Sequence, residues 1–367
     1  MRPKTLLFFV LTTQSLLFGD DRFQLFVPDA QSQQLQSYSI RTTFSGLAVE
    51  TNEPLALPFS ASRIAVNPKS DSLIVSGMSN GKTQAATVSA SERDGMDVIG
   101  SNTLSHPVGY TSIDRTGGYF MSSHYQSGWV AVYQIQNDGI VGKATTTFKT
   151  PNPEAHCIRT SPDNRFAYVP CVKNNNALFQ FSFDEKTGNL EPIEPFNAKP
   201  PAMFGPRHVA YHPSLPIVYF SNEQQLGVSV YEIGSSGQLS DRQHATTLPR
   251  RSPFEQGKRD LHASDLVLSP DGERLFVAVR DFAGEEDSVF TFRILSDGKL
   301  SLENRTKVGD IPWKLDISPL GNYLIVCESG VRNIAFFKIH PNGSLDRVPN
   351  TDIPSGARDM AVLGAER

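Results

Sequence analysis

At 367 residues, 39% hydrophobic and 20% charged, the chain is too apolar to be disordered and long enough to bury a sizeable core. Thirty-four basic against 38 acidic side chains leave a net charge of −4, which excludes the electrostatic footprint of a nucleic-acid or anionic-membrane binder. Three cysteines (Cys157, Cys171 and Cys327) without C-x-x-C spacing exclude a disulfide scaffold or a zinc knuckle, and 25 prolines along the whole length argue against a helical bundle.

The first predicted element is a leader. Met1 to Lys4 is short and basic, Thr5 to Phe18 is apolar and uncharged, and Asp20 and Asp21 end the run. That layout predicts a signal peptide over residues 1–19 and a periplasmic or secreted protein whose mature part, 20–367, is a single domain. The apolar run is too short for a comfortable transmembrane helix, and no other stretch is long enough, so no membrane attachment of the mature form is expected.

From Phe23 onward short apolar strands alternate with turns. Phe23 to Val27 and Leu35 to Ile40 read as second and third strands with no first strand before them. A four-strand pattern then repeats: apolar strand, Pro/Asp/Asn turn, second apolar strand, alternating third strand, and a Gly turn into a fourth. Weaker copies start near Arg63 and Gly109, and clear ones at His156, Arg207, Ser264 and Trp313. The first-turn anchors fall at Asn67, Asp114, Ser161, His212, Ser269 and Ser318, at intervals of 47 to 57 residues. Hairpin turns follow at Asp94-Gly95, Asp138-Gly139, Thr187-Gly188, Ser236-Gly237, Asp297-Gly298 and Asn342-Gly343. Four short strands per 45–50 residues is the pattern of propeller blades. Arg358 to Leu363 reads as a first strand with nothing after it, so the two ends complete one composite blade. Six internal repeats plus this one predict an all-β, seven-bladed propeller of four-stranded antiparallel blades, closed by the N- and C-terminal strands.

Gly77-Met78-Ser79-Asn80-Gly81 matches the G-x-S-x-G pattern of serine hydrolases, but a strand follows where that chemistry needs a helix, so a hairpin turn is expected. There is no H-E-x-x-H, phosphate loop, G-x-G-x-x-G or calcium-loop pattern; no cofactor and no metal ligand set is expected. In a propeller the start of an inner strand and the end of the second strand share one face of the disc. His156 and Arg207 open inner strands and Glu223 and Arg280 close second strands, which predicts convergence of these four at one channel mouth. His124, Tyr125 and Glu328 hold second-strand-end positions in other blades, and His208 and His212 follow Arg207; His124, Tyr125, His208 and Glu328 are weaker substrate-binding candidates, whereas His212 suits the turn. The connection from Asp241 to His262 carries Arg242, Arg250, Arg251, Lys258 and Arg259 and would lie at the same mouth, suited to an anionic ligand.

Gly205-Pro206-Arg207-His208, followed by His212-Pro213 and by Tyr219 to Glu223, resembles the seven-bladed β-propeller lactonase family, which includes propeller-type 6-phosphogluconolactonases and the carboxy-cis,cis-muconate cyclase. Ala155-His156 with Ser161 to Arg165, and Ser269 to Gly272 with Arg280, resemble neighbouring blocks of that family. The resemblance implies a lactone hydrolase acting on a sugar-derived or related anionic lactone, or a cyclase running the related lactonisation; a non-catalytic propeller using the same face is the alternative. It also implies that His156, Arg207, Glu223 and Arg280 form the active site, with the arginines stabilising an oxyanion and either Glu223 or His156 as base. This chain departs from the family pattern at Glu154, Trp313 and Glu328, where His, Arg and Gln are common. The expected partner is a small-molecule lactone or organic acid, and without an amphipathic helix or coiled coil a monomer is expected.

Overall fold

Runs such as Val289–Phe292 and Ile334–Phe337, dense in β-branched and aromatic side chains, favour extended backbone because those side chains pack on a pleated surface. The computed structural model describes residues 21–44, 46–91, 95–248 and 258–364, and in it such runs form seven antiparallel sheets. The leader at 1–19, the turn residue Asp94, and Arg250 and Arg251 lie outside the described residues. Six sheets are contiguous in sequence and are called blades 1 to 6 here; their inner strands are Ser60–Val66, Tyr110–Ile113, Arg159–Thr160, Pro206–Tyr211, Leu261–Leu268 and Pro312–Ile317. In the seventh, the composite blade, Ala361–Gly364 is the inner strand and pairs with Arg22–Asp29, Phe23 opposite Gly364 and Phe26 opposite Ala361. Gln34–Thr43 and Gly46–Thr51 complete it. The expected seven-bladed ring and its closure by both chain ends are what the structure contains.

The six anchor residues have one shared job. Asn67, Asp114, Ser161, His212, Ser269 and Ser318 each donate the backbone N–H to the carbonyl five residues on, at 2.8–3.0 Å, closing the turn from inner to second strand. At the other end of each blade, Gly95, Gly139, Gly188, Gly237, Gly298 and Gly343 have φ between +73° and +84°, a conformation that a Cβ penalises. The G-x-S-x-G segment is a two-residue hairpin: Ser79 faces Lys82 across the ladder, with Asn80 and Gly81 both at positive φ. No strand-to-helix elbow exists there, and Ser79 is a turn residue.

Seven buried apolar clusters hold the disc, one at each junction between neighbouring blades. Phe26, Phe59 and Ile64 pack between the composite blade and blade 1, and Phe23, Ile325 and Phe336 between blade 6 and the composite blade. The others join blades 1/2, 2/3, 3/4, 4/5 and 5/6. Each blade therefore buries both faces only when the ring is complete. On the channel side, aspartates stitch inner strands together: Asp265 accepts the N–H of Leu315 (3.0 Å), Asp316 that of Val362 (3.2 Å), and Asp359 that of Ile64 (3.2 Å). Lys314 lies among them, 3.1 Å from Asp265. Burial pushes the Asp316 carboxyl up to about 6, with the Lys314 ammonium working against that rise. The three cysteines are buried and free.

Candidate functional site

In an ordinary strand successive side chains point to opposite faces, so two adjacent residues cannot both face a channel. The inner strands escape this limit by register shifts close to their starts: between Ala61 and Arg63, Pro206 and Val209, Ala263 and Leu266, and Pro312 and Lys314. The extra residue of a bulge re-aims its neighbours. Consequently Arg207 and His208 both line one cavity of about 660 Å³, as do Trp313 and Lys314. The same cavity takes His156 from blade 3, Glu223 from blade 4, Arg280 from blade 5, and His124 and Tyr125 from blade 2. Six cations (Arg63, Lys173, Arg207, Arg280, Lys314 and Arg358) and three carboxylates (Glu223, Asp260 and Asp359) line it, which gives it an excess of positive charge.

Glu223 is the hub of the four leading candidates. Its Oε2 lies 2.9 Å from Arg207 Nε and 3.6 Å from an Arg280 terminal nitrogen. All three side chains are buried, Arg207 to 1% exposure. Neither Arg207 Nε nor Arg280 Nε aligns its N–H with an acceptor, so the Arg207–Glu223 contact is an ion pair with an unused N–H. Arg280 also donates to the Ala263 carbonyl at 3.3 Å. Burial and the neighbouring Arg207 pull the Arg280 guanidinium below its usual range, to about 9, while Glu223 opposes that fall; it stays cationic at neutral pH. Three guanidiniums gather at Trp313: those of Arg358, Arg280 and Arg207 lie 4.3, 4.7 and 5.8 Å from its ring centroid, where the π face offsets cation–cation repulsion.

His156 packs edge-on between Tyr125 (5.8 Å) and His208 (5.0 Å). Its backbone N–H binds the Pro170 carbonyl, whereas its buried Nδ1 has no partner. Burial, then the charges of Arg207 and Arg280, hold its pKa well below that of free histidine, so the imidazole is neutral at pH 7. His208 is neutral too, pulled down to about 3 by burial and Arg207, with Asp265 opposing. A neutral imidazole that meets carboxylate oxygen donates to it, and His208 Nδ1 lies 2.7 Å from Asp265 Oδ1. Burial alone would raise the Asp265 carboxyl, but Lys314 and His208 hold it far below the usual range. In His124, Nδ1 accepts from the Ser127 N–H and meets Ser127 Oγ at 2.8 Å, an arrangement that pins the ring to its turn.

Two expectations are corrected. Glu328 does not line the cavity. It is fully buried and grips Arg347 through two bonds of 2.9 and 3.0 Å, while accepting from Gly309 N–H and Asn333 Nδ2. The reason is register: Glu328 pairs with Pro312 as Asn222 pairs with Pro206, so it matches Asn222, one residue short of Glu223, and points to the opposite face. Of the described cations in the long connection, Arg259 is bidentate on Glu286 and Arg242 pairs with Glu232, and neither lines the cavity. Within it, Asp260 and His262 do reach the cavity rim, joined at 2.8 Å. His212 sits in its turn, as expected, accepting from Leu215 N–H at 3.0 Å.

Sequence reasoning passed over Arg63, Asp265, Trp313, Lys314, Arg358 and Asp359. A signal existed for half of them. The residues four before each anchor are Arg63, Tyr110, Cys157, His208, Asp265 and Lys314, a titratable side chain in every copy, and all but Cys157 and Asp265 line the cavity, with Asp265 directly behind.

The family model described as "Lactonase, 7-bladed beta-propeller" matches residues 26–358. A 6-phosphogluconolactonase of Cronobacter sakazakii is 30% identical over 234 residues, covering 63% of this chain and 66% of that protein. One of Yersinia pestis is 27% identical over 257 residues, covering 69% and 73%. The chain thus spans about two thirds to three quarters of these relatives. Among solved structures, a periplasmic gluconolactonase of Pseudomonas aeruginosa superposes with a TM-score of 0.79 at 21% identity, covering 94% of this chain and all of that one. A protein of Lactobacillus plantarum gives 0.70 at 18%, covering 94% and 100%. With the blade count, the inner-strand bulges and a match over nearly the full propeller, the chain belongs to the seven-bladed β-propeller lactonase family.

Proposed function

We propose that this lactonase hydrolyses a sugar-derived or related anionic lactone in the central cavity, with His156, Arg207, Glu223 and Arg280 as its working residues. The observation that carries the reading is the convergence of two buried guanidiniums on one carboxylate beside a neutral, unpartnered imidazole. Water attacks the lactone carbonyl, the ring C–O bond breaks, and the ring oxygen leaves as a hydroxyl. As the carbonyl becomes tetrahedral, negative charge develops on its oxygen. Arg207 and Arg280, already desolvated and gathered beside Trp313, offer preorganised N–H groups to that charge. His156, neutral at pH 7, takes the proton of the attacking water and returns one to the leaving oxygen. Glu223, engaged by both arginines, sets their spacing. The excess of cations attracts an anionic substrate.

The test is a panel of glucono-δ-lactone, phosphorylated sugar lactones and muconolactones, followed by acid release against the spontaneous rate. Catalysed opening of at least one ring is expected; purified protein without turnover on any of them overturns the reading. Residues 1–19 complete the proposal as an export signal, so that a monomeric domain of 20–367 acts in the periplasm or outside the cell. The basic start and apolar run support it, and a periplasmic gluconolactonase shares the fold. N-terminal sequencing of the fractionated protein decides: a full-length chain in the cytosol refutes export.

A further inference from the structure

Arg207 touches a second network that the proposed chemistry has not used. On the side of Arg207 away from Glu223, a terminal guanidinium nitrogen lies 3.2 Å from His208 Nε2 and 3.3 Å from its Nδ1. His208 Nδ1 meets Asp265 Oδ1 at 2.7 Å. Every other acceptor direction of Asp265 is taken: Oδ1 also receives the Leu266 N–H (3.0 Å), and Oδ2 receives the Leu315 N–H (3.0 Å) and the Lys314 ammonium (3.1 Å). A carboxylate ringed by donors can only accept, so the proton shared with His208 belongs to the imidazole, on Nδ1. Nε2 is then unprotonated, and the Arg207 nitrogen, at nearly equal distance from both ring nitrogens, rests over the face of a neutral imidazole.

We propose that Asp265 is a positioning residue that acts through His208: clamped by Lys314 and two backbone amides, it fixes the tautomer and orientation of the neutral imidazole whose face supports the Arg207 guanidinium for oxyanion stabilisation. This rests on the lactonase reading above and assigns that site a support which neither its sequence pattern nor its four leading residues reveal. The chain of contacts runs from Lys314 through Asp265 and His208 to Arg207 and its ion pair with Glu223. Two backbone amides anchor Asp265 to the inner strands of blades 5 and 6, so Arg207 of blade 4 is held through the next two blades of the ring.

Asp265→Asn tests the idea with almost no change of shape. An amide NH2 in place of Oδ2 would meet two donors, Lys314 and the Leu315 N–H, and in place of Oδ1 only the Leu266 N–H, so the amide turns its NH2 toward His208. That reverses the tautomer and replaces the charge-assisted link to a carboxylate by a weaker neutral one, so the imidazole beneath Arg207 is held less firmly and the guanidinium leaves its mark. Loss of one oxyanion donor costs about 10²–10³ in turnover, and displacement short of loss should lower kcat by about tenfold to hundredfold, with KM changed less than about threefold. Lys314→Met, which leaves Oδ2 with the Leu315 amide, should lower kcat in the same direction by less. A tautomer measurement on the unmutated protein stands apart from both activity and folding of variants: with ¹⁵N-histidine labelling, and His208→Gln for assignment, His208 should show a protonated Nδ1 and a bare Nε2 at pH 7. A protonated Nε2 in that spectrum, or Asp265→Asn with kcat within about twofold of wild type, overturns the proposal. If no lactone is turned over, the functional reading fails on its own, and the ¹⁵N spectrum still decides the tautomer.

Discussion

Arg207 and Arg280 are buried cations whose only carboxylate within ion-pair reach, among the described residues, is shared. Desolvated guanidiniums of this kind are costly to hold and act strongly on charge that develops beside them. Arg207→Ala and Arg280→Ala should each reduce kcat/KM by about 10²–10³ on the best lactone, while circular dichroism shows an intact fold. Near-wild-type turnover in both would move the site elsewhere. The depressed pKa of His156 sets the pH dependence. A base works when unprotonated, and burial beside two arginines keeps this imidazole unprotonated well below pH 6.5. The kcat/KM profile should therefore stay level from pH 8 down through 6.5 and fall only in more acid solution; an acid limb with its midpoint at 6.5 or above contradicts the assignment of His156 as base.

At the scale of strands, alternation and turn chemistry made each blade legible, because those signals are local. Register did not share that property. Glu223, Arg280 and Glu328 all stand where second strands end, yet a shift of one residue sends Glu328 into the packing beneath the third strand and leaves the other two at the cavity. Bulges at the inner strands had a similar effect: they let Arg207 and His208 both face inward, which strict alternation forbids. Their placement depends on how each strand meets its neighbour, so reading the repeat identified His208 as a weaker candidate and passed over Asp265 and Lys314. The difference between Glu328 and the site is measurable. Glu328→Ala strands the Gly309 and Asn333 donors and takes from Arg347 its buried partner, a loss of about 2–4 kcal/mol. It should lower the urea midpoint while kcat/KM stays within about threefold of wild type. A large loss of activity without loss of stability would return Glu328 to the site.

Over the whole molecule, the ring is held by apolar clusters at seven junctions and by one short closing strand, Ala361–Gly364. That strand pairs with Arg22–Asp29, and Met360 and Ala361 enter the clusters on its two sides. Removing residues 359–367 exposes a sheet edge and both flanking clusters, so the truncated chain should unfold at a lower urea concentration with a broader transition; an unchanged, sharp transition would show that closure is dispensable. The sequence by itself determined the blade count, the composite closure, the turn anchors and four residues that meet at the cavity. Each of these follows from short-range pattern repeated at a fixed spacing, and a closed ring admits few ways to arrange such repeats. Tertiary structure alone decided which strand ends face the channel, that Trp313 gathers three arginines, and that Asp265, 57 residues beyond His208 in the chain, fixes that imidazole. Those contacts join different blades, and no local pattern in one blade carries the register of the next.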